Sequence, residues 1–591
     1  MRYRGASLAR RLRACLRLVA PPALALVFAA GVATADEVPA PADAAAPGDS
    51  SVRSRLRDLL GPLADEIQLS GYLESRVGMW LHDDPTAPIH FPGITGTPPG
   101  NDLAVFRNTF QLELDAEPTR RTDLHAVFRA VYEPRYPVDR YASPQSSFGE
   151  DRLSKSFYNE PDWNKEPIRE AWIQQEILDG QSIRIGRQIV NWGESLAFRV
   201  ADVINPNDTT FNLFFVDPEE SRIPQWMAQG IHQLPWLPGS PAFEWIVMPA
   251  WETQSRRVND LAPTGSRFAI PPESRQSTYP VFQTVPGKPA LWTVQRAVLN
   301  GRAAGTPAAV DFRFLDDGQK DFPQDPSVGG RMKVSVGPVE LAFFDWYGYE
   351  LLPVVRDRGL EQSTVGEYDT VLGRPDLANV YHALHVPPSF RLDSFEYLYP
   401  RQNVVGVTGN AYLEWIKGVT RFEVAYRPQR HFQIDGFDRA TGAITDHDGL
   451  VRRDELEWQL ALDLGGLYWH WLNPTSDFSF SLEYTQNVIF DHVKGMRAGV
   501  YETALDAVTD TLSLRGSTSY WYNSLQPSLT VIVQPKQGAW ATVAALGLQA
   551  PWDEDLTAEI RWVAVGGRSH FDGLGLFQSK DFAMLALRYS F

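Results

Sequence analysis

Long stretches of the chain alternate apolar and polar residues with a period of two, the spacing of a β-strand whose faces meet different surroundings. In 103–116, Ala104, Phe106, Phe110, Leu112, Leu114 and Ala116 share one face, with Asn108 the exception. Arg107, Thr109, Gln111, Glu113 and Asp115 share the other. In 454–463, Leu456, Trp458, Leu460 and Leu462 oppose Glu455, Glu457, Gln459 and Asp463. In 477–491, Phe478, Phe480, Leu482, Tyr484, Val488 and Phe490 oppose Ser479, Ser481, Glu483, Thr485 and Asn487. In 555–564, Leu556, Ala558, Ile560, Trp562 and Ala564 oppose Thr557, Glu559 and Arg561. The segments run from ten to fifteen residues, long enough to span a bilayer as tilted strands.

Alternation alone fits any half-buried antiparallel sheet, soluble ones included. The last strand narrows the choice. Phe591, Tyr589, Leu587, Leu585 and Ala583 place an apolar residue at every second position back from a final Phe. This resembles the C-terminal signal by which the barrel-assembly machinery recognises outer-membrane barrels. An open sheet edge in hydrocarbon would leave backbone groups unsatisfied at several kcal/mol each, so such strands must close into a ring. The expected fold is therefore all-β: a transmembrane antiparallel barrel of about 16–18 strands, in contact with outer-membrane lipids and lipopolysaccharide.

The ends and turns divide the chain. Arg2, Arg4, Arg10, Arg11, Arg13 and Arg17 precede an apolar stretch from Leu18 to Val32, and Ala33-Thr34-Ala35 is an A-x-A cleavage site. Residues 1–35 thus read as a signal peptide for Sec export. Residues 36–50, rich in Ala and Pro, read as a disordered linker. Residues 51–66 read as a short periplasmic helix, and 67–591 as the barrel. Short connections at Pro118–Arg121, Leu178–Gly180, Leu237–Pro241, Val336–Pro338, Lys417–Gly418 and Pro551–Glu554 suit periplasmic turns. Long ones at 82–102, 133–167, 192–224, 253–327, 352–401, 428–453 and 491–509 suit extracellular loops. Segment 510–535 fits one strand or two.

Composition agrees with this division. After Ala35 there is no uncharged apolar run long enough for a spanning helix. The 18 Trp and 21 Tyr suit two interfacial belts. Cleavage removes Cys15, the only cysteine, and with it any thiolate metal site or disulfide. It also removes six arginines and no acid, which makes the mature chain still more acidic than the formal −17 and unsuited to nucleic acid.

The most distinctive segment is Gly186-Arg187-Gln188-Ile189-Val190-Asn191-Trp192-Gly193-Glu194-Ser195, followed by Ile204-Asn205-Pro206-Asn207-Asp208 and by Asp217-Pro218-Glu219-Glu220-Ser221-Arg222-Ile223-Pro224. A G-x-Q strand, W-G-E-S, I-N-P-x-D and an acidic-basic-Pro run in this order resemble the Gram-negative outer-membrane family called domain-of-unknown-function 1302. The resemblance implies a barrel that moves lipid-like or other hydrophobic compounds. It also implies work alongside a periplasmic lipoprotein-sorting-like protein and an inner-membrane pump of the resistance-nodulation-division type.

The same residues carry a reading of their own. Phe211-Asn212-Leu213-Phe214-Phe215 is apolar in a connection that should face water, which suggests a loop folded into the lumen. Either Trp192, Glu194 and Asn205 lock that loop by hydrogen bonds and packing, or Glu194, Asp208 and Arg222 line a constriction with Phe211 and Phe214 and select cargo by charge. The lumen wall would carry both signs: Arg107, Arg129, Arg184, Arg421 and Arg561 against Glu113, Asp115, Glu170, Glu455, Glu457, Glu483 and Glu559. These either set up a transverse field in a wetted pore or pair with one another.

No H-E-x-x-H, G-x-S-x-G or Gly-rich phosphate loop occurs, so no catalytic residue, metal or cofactor is expected. Transport of hydrophobic or amphipathic small molecules leads. A water-filled porin for polar solutes is the alternative, ahead of an outer-membrane enzyme or an adhesin.

Overall fold

In the computed structural model the described residues are 67–81, 103–132, 168–195, 198–206, 220–249, 326–351, 354–364, 389–434, 449–467, 469, 471–498, 503–568, 573–577 and 580–591, with the short segments 281–283, 291–293 and 308–314. The expected signal peptide, linker and periplasmic helix lie outside them, as do Asp208, Phe211 and Phe214.

The barrel strands are β1 (Ile67–Trp80), β2 (Leu103–Thr119), β3 (Thr122–Tyr132), β4 (Ile168–Leu178), β5 (Gln181–Gln188), β6 (Gln225–Gln233), β7 (Ala242–Met248), β8 (Ser327–Val336) and β9 (Val339–Tyr349). They continue as β10 (Arg401–Leu413), β11 (Gly418–Gln433), β12 (Leu450–Leu467), β13 (Phe478–Ile489), β14 (Val508–Ser517), β15 (Leu525–Gln534), β16 (Ala539–Ala550), β17 (Asp553–Gly566) and β18 (Phe582–Ser590). Each pairs antiparallel with the next, and β18 pairs with β1 from Tyr72↔Ser590 to Trp80↔Phe582. The result is a closed ring of 18 strands, in which no spanning strand keeps an open edge.

Segment 510–535, open between one strand and two, contributes most of two: β14 and β15 around the turn at 518–524. The long connection 352–401 is not wholly irregular. Its strands Val354–Thr364 and Ser389–Leu398 form a separate three-stranded sheet with Ala308–Phe314.

Alternation decides which residues face lipid. On the outer surface lie Leu73, Ile173, Ile185, Phe243, Phe343, Leu460, Leu482, Leu514, Leu529, Ile560 and Trp562, all with large exposed side chains. Leu587, Tyr589 and Phe591 share the face of Leu585, across from Ile560 in the register. The short turns carry a signal the pattern did not reveal. Trp236, Trp415, Trp471, Trp521 and Trp552 all stand exposed in connections at one end of the barrel, the end that holds the turns expected to face the periplasm. Amphipathic rings at one level around the barrel are an interfacial belt, and they fix how deep the barrel sits.

Ile560→Arg, at the middle of β17, is expected to cost about 2–4 kcal/mol. Denaturant titration in phospholipid vesicles measures it, and an unchanged midpoint would place that face away from lipid.

Candidate functional site

The segment between β5 and β6 leaves the wall and enters the lumen. Val190, Trp192, Val200, Ala201, Val203 and Ile204 are buried against Met227 of β6, Ile246 and Met248 of β7, Phe344 and Trp346 of β9, Val404 of β10 and Ala425 of β11. These wall residues occupy positions that face the interior, so the apolar cluster is a core built inside the barrel. The approach is close at Gly329, where a Cβ would lie 2.5 Å from Trp346 Cε3 and 2.9 Å from Trp192 Cη2. Any larger residue there would push the loop off its seat.

Polar anchors hold the segment from three directions. On β11, the Glu423 carboxylate accepts the backbone N–H groups of Glu194, Ser195 and, at 2.8 Å, Ala201. Beside it Arg421 donates to the Glu194 carbonyl and Arg427 to the Val200 carbonyl at 3.0 Å. From β7, Glu244 accepts Trp192 Nε1 at 2.9 Å and is gripped by Arg331 of β8 at 2.6 Å. On the return limb, Glu220 takes both terminal nitrogens of Arg76 on β1, at 2.8 and 3.3 Å. Arg169 of β4 caps the Glu220 and Arg222 carbonyls at 3.1 and 2.8 Å.

In a ring of 18, β1 and β11 stand on nearly opposite sides, so the loop reaches across the whole lumen. Asn205 joins its two limbs: its Oδ1 accepts the Val190 N–H at 2.8 Å, and its Nδ2 donates to the carbonyls of Gln188 and Ile223. Arg222 and Arg199 both hold Asp202, at 3.0 and 2.9 Å.

The candidate residues therefore separate. Trp192, Asn205 and Arg222 are bound into the loop's own fixings. Glu194 is held by its backbone, while among the described residues its carboxylate has one long contact, 3.4 Å, from Asn410. The wall residues Arg107, Glu113, Asp115, Arg129, Glu455, Glu457, Glu559 and Arg561 sit at interior positions. Several pair along the wall rather than across the lumen: Arg561 with Glu559 at 2.7 Å, Arg430 with Glu455 at 2.6 Å, Arg427 with Glu457 at 2.9 Å, and Arg129 with the neutral Gln111 at 2.7 Å. Arg421 likewise bonds Asp463 and Glu483 on the next two strands.

Among the described residues one trio, Glu113, Asp115 and His125, has its oxygen and nitrogen atoms close enough to share a metal ion. His125 Nδ1 is already 2.7 Å from Asp115 and its ring stacks on Trp172 at 4.9 Å, so a His–carboxylate pair accounts for the grouping.

A family model described as "Protein of unknown function (DUF1302)" matches residues 101–236 and 352–591, more than half of the chain. The chain belongs to the DUF1302 family. The first match covers the whole loop from Gln188 to Pro224, so this DUF1302 member's plug lies within what the family shares. Among curated proteins, no sequence match was found. Solved structures similar in form include OccAB3 of Acinetobacter baumannii, at 9% identity and TM-score 0.39 over 89% of this chain and 99% of that one. OccK2 (OpdF) of Pseudomonas aeruginosa, solved with glucuronate, stands at 9% identity and TM-score 0.39 over 89% and 98%. OccK11 (OpdR) of the same organism stands at 11% and 0.38 over 89% and 96%. Likeness at this level carries no argument about cargo.

Asn205→Ala would strand buried groups on both limbs, at about 3 kcal/mol, or roughly a hundredfold in loop opening. Hydrogen exchange at the amides of 190–205 should speed up accordingly, and unchanged protection would mean the limbs are joined elsewhere.

The Arg76–Glu220 tether has its own pH signature. Burial alone would raise the Glu220 carboxyl, but Arg76, with Arg129 and Arg107 nearby, outweighs burial and holds it down from 4.5 to about 2. A depressed acid contributes fully above its ordinary value and loses that contribution as pH falls through the depressed one. Protection of Ser221 and Arg222, corrected for intrinsic exchange, is thus expected to stay flat from about pH 5 to 9 and to fail only near pH 2. A midpoint near neutrality would contradict this.

Proposed function

We propose that this protein is an outer-membrane channel whose lumen is narrowed by the in-folded loop, and that it passes small solutes selected by the charged side chains left facing the passage. The observation that carries the reading is the loop's attachment to opposite walls, at Arg76 and at Glu423. A ring of this size leaves an aqueous channel unless something obstructs it. Here one loop does so, seated on an apolar core and tied to the two walls by polar bonds that water can replace.

The family resemblance implies lipid-like cargo. The geometry gives more support to polar or amphipathic solutes with a charged group. Val200, Ala201, Ile204, Trp346 and Val404 are buried on one another, so the apolar interior is taken up in seating the loop. The wall around it is lined with arginine and carboxylate. Handing cargo to a periplasmic lipoprotein-sorting-like protein and an inner-membrane pump would take place at the mouth ringed by the Trp-bearing turns. The outer-membrane location rests on the barrel itself, and Sec export on the N-terminal signal.

Planar-bilayer recording of the wild type and Glu423→Ala tests the reading. The wild type is expected to show small, solute-dependent conductance. The variant leaves three loop N–H groups without their acceptor and should conduct several-fold more. Equal conductance in both, or none in either, would overturn a loop-restricted channel. Fatty-acid uptake into proteoliposomes, with no effect of polar solutes, would favour the lipid-like cargo instead.

A further inference from the structure

Beneath the first residues of the loop lies a chamber of about 280 Å³ that plays no part in anchoring the return limb. Ile189, Val190 and Asn191 form its roof, and Ile231 of β6 and Ala242 of β7 line its side with apolar surface. Its polar lining is Arg184 of β5, Gln229 of β6, Glu244 of β7, and Arg331 and Lys333 of β8. Lys333 lies three residues before the turn after β8, and Ala242 opens β7, so the chamber sits in the periplasmic half of the lumen.

Within the lining itself three cations face one carboxylate, the further carboxylates Asp123, Glu170, Glu194 and Glu340 lying outside it. Glu244 is the one carboxylate of the lining, and it is already saturated by Arg331, Trp192 Nε1 and Gln229 Nε2. Glu244 and Arg331 neutralise each other. Two cations remain. Among the described residues Arg184 donates to the neutral Gln174 Oε1, at 2.7 and 3.0 Å, with its guanidinium 4.1 Å over the Trp172 ring, while Asp123, Glu170 and Glu244 act on it from beyond bonding distance. Lys333 has Glu244, Glu194 and Glu340 in its field, but none of them holds it in an ion pair among the described residues. Burial leaves both cations poorly solvated, Arg331 adds a like charge beside Lys333, and an anion placed in the chamber relieves these costs. Small-molecule sites have this composition: apolar walls with a few converging polar groups.

We infer that this chamber is an anion-binding site, taking the carboxylate of a small amphipathic solute between Arg184 and Lys333 while its hydrocarbon part lies on Ile189, Ile231 and Ala242. The inference rests on the channel reading for its role in transport but not for the binding itself. It names the cargo class as monocarboxylates short enough for the chamber. The occupant also meets Arg331, the guanidinium that holds Glu244 under Trp192, so the site touches one of the loop's fixings.

Hexanoate is the probe, with hexanol as its uncharged counterpart. Binding is read by tryptophan fluorescence of the full chain in detergent, with Trp172 and Trp192 beside the site. Hexanoate should give a saturable change and hexanol none. Lys333→Gln and Arg184→Gln are each expected to weaken hexanoate binding about tenfold, as loss of one charge-assisted contact does. Lys333→Arg should restore it, which separates loss of charge from misfolding. Equal binding of hexanol, or wild-type affinity in both Gln variants, would overturn the site. Bilayer recording of the same samples keeps the two readings apart. Charge-dependent binding in a protein that never conducts would refute the channel and leave the site standing. Conductance in a protein indifferent to hexanoate would do the reverse.

Discussion

Everything in this molecule follows from the requirement that a backbone in hydrocarbon satisfy its own hydrogen bonds. The pairing of β18 with β1 meets it by removing the last open edge. Closure then forces side chains into two populations, one on lipid and one on an enclosed space. Because the outer face must be apolar, nearly all polar chemistry is driven inward. The interior is therefore full of arginine and carboxylate before any question of cargo arises.

That crowding explains why a loop can be held inside at all. An extracellular loop drawn into a bare tube would lose hydration at every exposed N–H and C=O. Here Glu423, Arg421, Arg427 and Arg169 replace that water with charge-assisted bonds, while Trp346 and its neighbours supply an apolar seat. The wall charges are half structural, pairing along neighbouring strands, and half a set of fixings for the loop. Among the described residues Arg184 and Lys333 face a chamber without an ion pair of their own.

The sequence made the fold legible because a period of two has one meaning per strand: Leu456, Trp458, Leu460 and Leu462 can only share a face. It also marked the loop, since W-G-E-S and I-N-P put Trp, Asn and Pro where loose polar residues are usual. It was silent on the partners. Glu423 and Glu194 are far apart in the chain, and no spacing says that one strand's carboxylate meets another loop's amides. Alternation along β11 would have put Glu423 and Arg427 on the inner face with Arg421, but not said what they hold. Lys333 gave no signal either, because its interest lies in facing the chamber without an ion pair among the described residues. The Trp residues at the short turns were countable in the composition, yet their common level emerges only once the turns are stacked around a ring.

The two-sided attachment of the loop has a mechanical consequence. A cylinder under lateral membrane pressure deforms most easily by flattening into an ellipse, and a strut between facing walls opposes that deformation. The tie from Arg76 to Glu423 is such a strut. Squeezing or stretching the barrel along that diameter would load the same buried bonds that seat the loop, so the membrane's lateral pressure bears on the loop as well as on the wall.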